Sequence, residues 1–268
     1  MNTLLRWARG RIAYLDAILI MAFVTNRSKI NIMTARDDET LPEDEASRFK
    51  SYVEQRAAHR PLAYIREKCE FMGLDFEVNE YTLIPRPDTE IVVETALEII
   101  KRTGVRNILE IGAGSGCIAV SLAVLCSGAP DITAADISAE AVETARRNAV
   151  RHGVSIRFIQ SDLFDGVDPR AYDMIISNPP YIPHNEIDAL PSSVKDYEPR
   201  SALDGGSDGL AFYRAITEKA TDYIVYELGR DMAEKVKIIL ERRGFAEINI
   251  INDLAGRNRV ISARKKAL

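Results

Sequence analysis

Apolar and polar positions divide the chain into an N-terminal helical part and a longer part in which strand and helix patterns alternate. Leu4 to Val24 is mostly apolar and made of good helix formers. Leu41-Pro42-Glu43-Asp44-Glu45 opens a further helix, with proline and acids in the first turn, where free backbone N–H groups favour both. Pro61 begins a break. Two short strand-like runs follow, Phe71 to Val78 and Tyr81 to Ile84, set around Asn79-Glu80, and they predict a hairpin joining two domains. In Ile84-Pro85-Arg86-Pro87-Asp88-Thr89-Glu90 two prolines stiffen the backbone, and Asp88 is the expected N-cap of an apolar-striped helix that ends near Arg102 and Gly104.

Beyond residue 85 the alternation is regular. Strand patterns at Asn107 to Ile111, Asp131 to Ile137, Ser155 to Gln160 and Tyr172 to Ser177 are interleaved with helix patterns at Cys117 to Leu125 and Ser138 to His152, the latter closed by Gly153. Such alternation predicts a parallel sheet covered on both faces. A helix at Gly209 to Ala220, a strand at Asp222 to Leu228 and a helix at Asp231 to Arg243 stopped by Gly244 come next. Strands at Glu247 to Asn252 and Arg259 to Ala263, joined by Asp253 to Asn258, predict an antiparallel edge hairpin. The expected fold class is therefore α/β, a seven-stranded, mostly parallel, Rossmann-like sheet behind a small helical domain. The expected domains are residues 1–68, a hairpin linker over 69–85 and the sheet domain over 86–268.

Composition narrows the function classes. A hydrophobic content of 46% supports real cores, and a net charge of −5 lacks the cationic surplus of proteins whose affinity comes from phosphate contacts. A dominant nucleic-acid role is disfavoured. Cys69, Cys117 and Cys126 are odd in number and lack CxxC spacing, which argues against a disulfide framework and against a metal site, and fits a reducing cytoplasm. Arg6, Arg9 and Arg11 before the apolar run Ala17 to Val24 imitate a secretion signal, but Asp16 sits at its edge and Thr25-Asn26-Arg27 offers no small-residue cleavage site. That run is also far shorter than the roughly 20 residues a membrane span requires. Over residues 1–75, 12 Lys and Arg face 11 Asp and Glu, so the helical part suits a protein-contacting module or a structural cap.

The chemistry gathers at strand ends. Glu110-Ile111-Gly112-Ala113-Gly114-Ser115-Gly116 lies where the first strand of the sheet hands over to its helix, the place where α/β sheets bind nucleotides. A dinucleotide fingerprint needs G-x-G-x-x-G, but here the third glycine comes one position early and Cys117 takes its place. The spacing points away from a nicotinamide cofactor, and a cofactor without a pyrophosphate, carrying an amino acid and an adenosine, fits the residues that follow. Asp136 ends the second strand, where a carboxylate can accept both ribose hydroxyls. Asp162, just past the third, is positioned for the adenine amine. The fourth strand runs into Asn178-Pro179-Pro180-Tyr181, which offers an amide, prolyl carbonyls and an aromatic face to a flat, nitrogen-bearing target. An isolated Asn-Pro-Pro is ordinary turn punctuation. With the usual doubly wound order, however, strands one and four are neighbours, and the glycine loop and Asn178 flank one crevice.

These residues resemble the S-adenosylmethionine-dependent methyltransferases, and more narrowly the peptide chain release factor glutamine methyltransferases, the HemK/PrmC family. The resemblance includes Arg60-Pro61-Leu62-Ala63-Tyr64-Ile65, Leu83 to Glu90, the glycine loop, Asn178 to Ile182 and Tyr197 to Gly206. It implies a small helical domain that recognises class 1 release factors. It also implies methylation of the side-chain amide of the glutamine in their Gly-Gly-Gln motif. S-adenosylmethionine would be held by Glu110, Gly112, Gly114, Gly116, Asp136, Asp162, Leu163 and Asn178. Asn178 Oδ1 and the Pro179 carbonyl would each accept one amide N–H, with Tyr181 packed on the amide plane. Pro180, Glu198 and Arg86 are further candidates for contacting the substrate, and the long connection Ile182 to Asp208 becomes a substrate loop. A monomer without membrane or nucleic-acid contacts is expected.

Two departures from the family pattern stand out: Leu163 where an aromatic is usual, and a shortened crossover, Lys219-Ala220-Thr221-Asp222, in place of a Pro-Gly-Gly turn. Competing readings are methylation of a ribosomal-protein glutamine or of a nucleic-acid base, a non-catalytic cofactor-fold binding protein, and a nicotinamide oxidoreductase.

Overall fold

The computed structural model describes residues 1–36, 39–220 and 222–266. Thr221, inside the crossover expected to be short, lies outside the described residues. The chain forms two compact units: Met1–Lys68 with Pro191–Tyr197, and Cys69–Leu190 with Glu198–Leu268.

The first unit holds helices α1 (Asn2–Arg9), α2 (Tyr14–Thr25), α3 (Lys29–Met33), α4 (Glu43–Ala57) and α5 (Leu62–Arg66). The single apolar stretch expected over Leu4 to Val24 is two helices, broken at Gly10. The cause is the breadth of the apolar surface of α2. Ala17, Ile18, Ile20, Met21 and Val24 are all buried, which takes partners on several sides, and α1 folds back to supply one of them. Asp16, in the first turn of α2, pairs with Arg56 near the end of α4 at 2.7 Å.

A two-stranded hairpin follows, β1 (Lys68–Phe71) and β2 (Leu74–Glu77), which from Cys69 onwards belongs to the second unit. Its turn is Met72-Gly73, not Asn79-Glu80 as the sequence pattern suggested. Both turn residues have positive φ, 51° and 72°, the geometry that suits the twist of a two-residue hairpin. Asn79 instead accepts the Tyr81 N–H at 3.0 Å and donates to Thr144 Oγ1 at 2.9 Å, so Tyr81 to Ile84 forms no strand. A 3₁₀ turn at Pro87–Thr89 then leads into α6 (Glu90–Thr103), ended by left-handed Gly104. Asp88 is not its cap: Thr89 occupies that place, and the Asp88 carboxylate pairs with Arg259 at 3.1 Å.

The elements β3 (Asn107–Ile111), α7 (Cys117–Leu125), β4 (Asp131–Asp136), α8 (Ala139–Arg151), β5 (Arg157–Gln160) and β6 (Met174–Ser177) follow. The chain then passes through the Pro191–Tyr197 segment of the first unit, with its single turn α9 (Ser192–Lys195), where the Tyr197 hydroxyl donates to the Ala58 carbonyl at 2.7 Å. α10 (Ala211–Lys219), β7 (Tyr223–Glu227), α11 (Ala233–Arg242), β8 (Phe245–Asn252) and β9 (Asn258–Lys265) complete it. The seven-stranded sheet has the order β5-β4-β3-β6-β7-β9-β8, and β9 alone runs against the common direction, antiparallel to both of its neighbours β7 and β8. Successive residues of each inner strand point to opposite faces, and both faces are buried. Ile108, Met174, Ile176 and Val225 enter one core, whereas Leu109, Ile175 and Ile224 enter the other.

Candidate functional site

The carboxyl ends of β3, β4, β5 and β6 open on one cavity of about 370 Å³ within the second unit. It is lined by Arg86, Thr89, Glu110, Gly112, Gly114, Asp136, Asp162, Leu163, Asn178, Pro179 and Pro180, among others. β3 and β6 are adjacent, with Glu110 opposite Ile176, so the glycine loop and Asn178 do flank one crevice. The Ser177 hydroxyl locks the two strand ends by donating to the Ile111 carbonyl at 2.7 Å.

Within the glycine loop the roles divide. Gly112 and Gly114 have φ of 80° and 55°, and a Cβ on Gly114 would project into open space, which is the condition for close approach of a ligand to backbone. Gly116, expected beside the cofactor, is not part of the lining. A Cβ there would lie 2.9 Å from Ala145 Cβ, so this glycine lets α7 start against α8. Asp136 shapes the loop from the next strand, its Oδ2 accepting the Gly114 N–H at 2.8 Å and its Oδ1 the Ser138 N–H at 2.9 Å. Glu110 is 1% exposed; Oε2 accepts the Ala119 N–H at 3.1 Å, while Oε1 is buried with no hydrogen-bond partner among the described residues. Burial pushes the Glu110 carboxyl well above the usual carboxylate range, and Asp136 adds to the effect; burial raises Asp136 as well. Asp162 is exposed at the cavity edge, and Leu163 beside it has a left-handed backbone with φ of 51°. Phe164, the next residue, packs on the core.

Asn178 and Tyr181 are tied to the end of β7, the strand beside β6, through residues the sequence reading did not single out. Asn178 Nδ2 donates to Thr89 Oγ1 at 3.4 Å, and the Thr89 hydroxyl donates to Glu227 Oε2 at 2.6 Å. The Tyr181 hydroxyl donates to Glu227 Oε1 at 3.3 Å. Glu227, 1% exposed at the end of β7, is pushed up to about 7 by burial, against the stabilising hydroxyl of Thr89 and the charge of Arg259. A signal for it existed. Polar groups mark successive strand ends, and β7 ends in Glu227.

Two expectations are corrected here. The Tyr181 ring does not line the cavity; it packs against Gly229, where a Cβ would stand 2.8 Å from Tyr181 Cδ2. Glu198 does not line it either. Its carboxylate is buried, pairs with the Arg86 guanidinium and accepts the Ile84 N–H at 3.2 Å, because a carboxylate without solvent needs charged and backbone donors. The connection from Ile182 is more regular than expected. Ile182 bridges to Asp204, the Gly205 N–H donates to the Ile182 carbonyl at 2.8 Å, and His184 Nδ1 lies 2.7 Å from Asp204 Oδ2.

Residues 3–66 match the model of the PrmC N-terminal domain, and residues 89–192 that of the methyltransferase small domain. A release factor glutamine methyltransferase of Clostridium acetobutylicum is 38% identical, over 94% of this chain and 92% of that protein. Its namesake from Geobacter sulfurreducens is also 38% identical, over 97% and 95%. The chain belongs to the release factor glutamine methyltransferase family. Among solved structures, the catalytic domain of hMettl16 in complex with a MAT2A 3′UTR hairpin superposes with a TM-score of 0.60 at 17% identity, covering 92% of this chain and 93% of that one. At that identity the likeness is one of fold, the seven-stranded methyltransferase sheet. The family's two matched regions fall on the helical unit and on the strands that build the cavity. Among the described residues no helix is long and apolar enough to cross a membrane.

Proposed function

We propose that this enzyme transfers a methyl group from S-adenosylmethionine to the side-chain amide nitrogen of the glutamine in the Gly-Gly-Gln motif of class 1 peptide chain release factors. The observation that carries the reading is the amide of Asn178, which lines the cavity beside the glycine loop while its Nδ2 is taken by Thr89, so that Oδ1 is left to accept. With the Pro179 carbonyl it would take both N–H groups of a planar amide. An amide nitrogen is a poor nucleophile, and holding it in line is the main service a protein can render. No strong base is required.

The cavity residues fit the cofactor. The buried, unpartnered Glu110 Oε1 and the open backbone at Gly114 suit a cationic amino-acid group, and the Asp136 carboxylate suits ribose hydroxyls. Asp162 is assigned to the adenine amine and Leu163 to its face. When bound, the sulfonium supplies an electrophilic methyl group. Arg86 and Glu198 act on the substrate side as a pair, the arginine at the wall and the glutamate behind it. The helical unit is assigned to release-factor recognition, and the enzyme is read as a cytoplasmic monomer that makes no direct nucleic-acid or membrane contact.

The test is mass spectrometry of a release factor incubated with enzyme and labelled cofactor, beside a substrate whose motif glutamine is alanine. Label is expected only with glutamine present, and label persisting in the control overturns the substrate assignment. Asn178→Ala is expected to retain cofactor binding by calorimetry and to lower kcat by roughly a hundredfold or more, the scale of losing one oriented hydrogen bond at the reacting group.

A further inference from the structure

Glu227 lies behind the cavity wall, yet its two carboxylate oxygens reach both ends of the Asn178-Pro179-Pro180-Tyr181 segment. We propose that Glu227 is a positioning residue for methyl transfer: through the Thr89 and Tyr181 hydroxyls it sets which end of the Asn178 amide faces the substrate. The inference rests on the assignment of Asn178 as the acceptor of the substrate amide.

Hydrogen-bond direction sets the orientation of Asn178. Thr89 has a single hydroxyl hydrogen, and an ionised Glu227 can only accept, so that hydrogen goes to Oε2 at 2.6 Å. What remains at Thr89 Oγ1 is a lone pair. Only the NH₂ end of Asn178 can satisfy it, at 3.4 Å, and Oδ1 is thereby turned to the other side. Were the Thr89 hydrogen directed at Asn178 instead, Oδ1 would be drawn inward and an NH₂ group would meet the N–H donors of a glutamine amide. At the other end, the Tyr181 hydroxyl donates to Oε1 at 3.3 Å, and its ring packs against Gly229. One side chain thus holds the first and fourth residues of the segment.

The surroundings keep Glu227 poised between its two states. Arg259 on β9 favours the ionised form, Asp88 on the 3₁₀ turn opposes it, and Arg259 is itself shared between Asp88 at 3.1 Å and Asp253 at 3.3 Å. Tyr213 on α10 is occupied with the backbone carbonyl of Glu227 at 2.7 Å and offers the carboxylate nothing. With ionisation at about 7, a protonated Glu227 carries its own hydrogen to donate to Thr89 and releases the Thr89 hydrogen to reverse. Turnover should therefore fall as pH drops through this range.

The experiment compares Thr89→Val, which keeps the shape and removes the hydroxyl, with Thr89→Ser, which keeps the hydroxyl and removes a methyl group. Glu227→Gln is measured alongside. Methylation of a release factor is followed as kcat and as KM for S-adenosylmethionine from pH 6 to 9. Thr89→Val is expected to lower kcat by roughly tenfold to a hundredfold, the scale of a hydrogen bond to a charged group, with KM for the cofactor within about twofold. Thr89→Ser should stay within about threefold of the parent, because the relay survives. Glu227→Gln should lower kcat and remove the acid limb near pH 7. A structural role alone would reverse the order of the Thr89 pair, since serine leaves a small void and valine does not. The proposal is overturned if Thr89→Val turns over normally, if both Thr89 variants fall alike, or if the acid limb persists in Glu227→Gln. Should Glu227→Gln fail to fold, the Thr89 pair decides alone. Asn178→Ala separates the two levels: full turnover in it overturns the underlying assignment, whereas an inactive Asn178→Ala beside an active Thr89→Val overturns only the role of Glu227.

Discussion

Removing the guanidinium of Arg86 should cost more than its position at the cavity wall suggests, because it is the charged partner of a carboxylate out of reach of water. The Glu198 side chain is 1% exposed and that of Arg86 39%. In Arg86→Met the carboxylate keeps one neutral donor, the Ile84 N–H at 3.2 Å. Stripping a fully buried pair of one member costs about 3–5 kcal/mol, and an exposed pair is worth about 0–1 kcal/mol. With one partner buried and the other half in solvent, about 2 kcal/mol is expected after discounting for screening. Glu198→Gln preserves an acceptor for Ile84 and leaves an amide against the guanidinium, at a cost of about 1–2 kcal/mol. The double variant removes the mismatch, so it should be less destabilised than the two singles added together, with a coupling of about 1 kcal/mol or more. Urea unfolding of the four proteins measures this directly, and thermal scans should show Arg86→Met lower by roughly 4–8 °C. Strict additivity, with a coupling below about 0.3 kcal/mol, would refute the reasoning.

The two glycines at positions 112 and 116 should separate ligand contact from packing. Gly116→Ala is expected to destabilise by about 2 kcal/mol or more, since its Cβ would collide with Ala145, whereas Gly112→Ala, with Asn178 O at 4.0 Å, should cost about 1 kcal/mol for its φ and mainly weaken cofactor binding. Calorimetric melting and cofactor titration of both variants check this. Asp136→Asn should lower cofactor affinity by roughly tenfold or more in a titration and cost about 1 kcal/mol of stability, because only one of its two backbone N–H partners, Gly114 and Ser138, keeps an acceptor. Glu227 also predicts a pH dependence of stability. Its folded value of about 7 lies above the ordinary 4.5, so the folded protein binds the proton more tightly than the unfolded chain does. That contribution is fully present below pH 4.5 and lost as pH rises through about 7, by up to about 3 kcal/mol, and Glu227→Gln should flatten the slope of unfolding free energy against pH over that window.

Much of the fold was legible from local pattern. The strand over Asn107–Ile111 and the helix over Cys117–Leu125 coincide with their apolar runs, because both are buried in the middle of the domain and their composition is dominated by burial. Errors arose where a neighbour in space, not in sequence, decides. The hairpin turn sits at Met72-Gly73 because Asn79 is taken up by Thr144 on α8, and Asp88 is drawn from its cap by Arg259 on β9. Neither partner lies within sixty residues of the group it claims.

For the site, the order of residues along the chain is enough to locate the strand ends at which chemistry collects. A glycine loop, an acid, an acid and an amide follow from the alternation of strand and helix and from backbone constraints that act over a few residues. It also determined the family, through motifs spread along nearly the whole chain. The orientation of those groups depends on the packed fold. Gly116 faces a helix and not the cavity, Tyr181 turns its ring to Gly229, and Glu198 turns to Arg86. The direction of the Asn178 amide depends on Thr89 and Glu227, 89 and 49 residues away in the numbering of the chain. The physical reason is that a side chain's rotamer and the sense of its hydrogen bonds are set by whatever packs against it. In a doubly wound sheet those partners come from other strands.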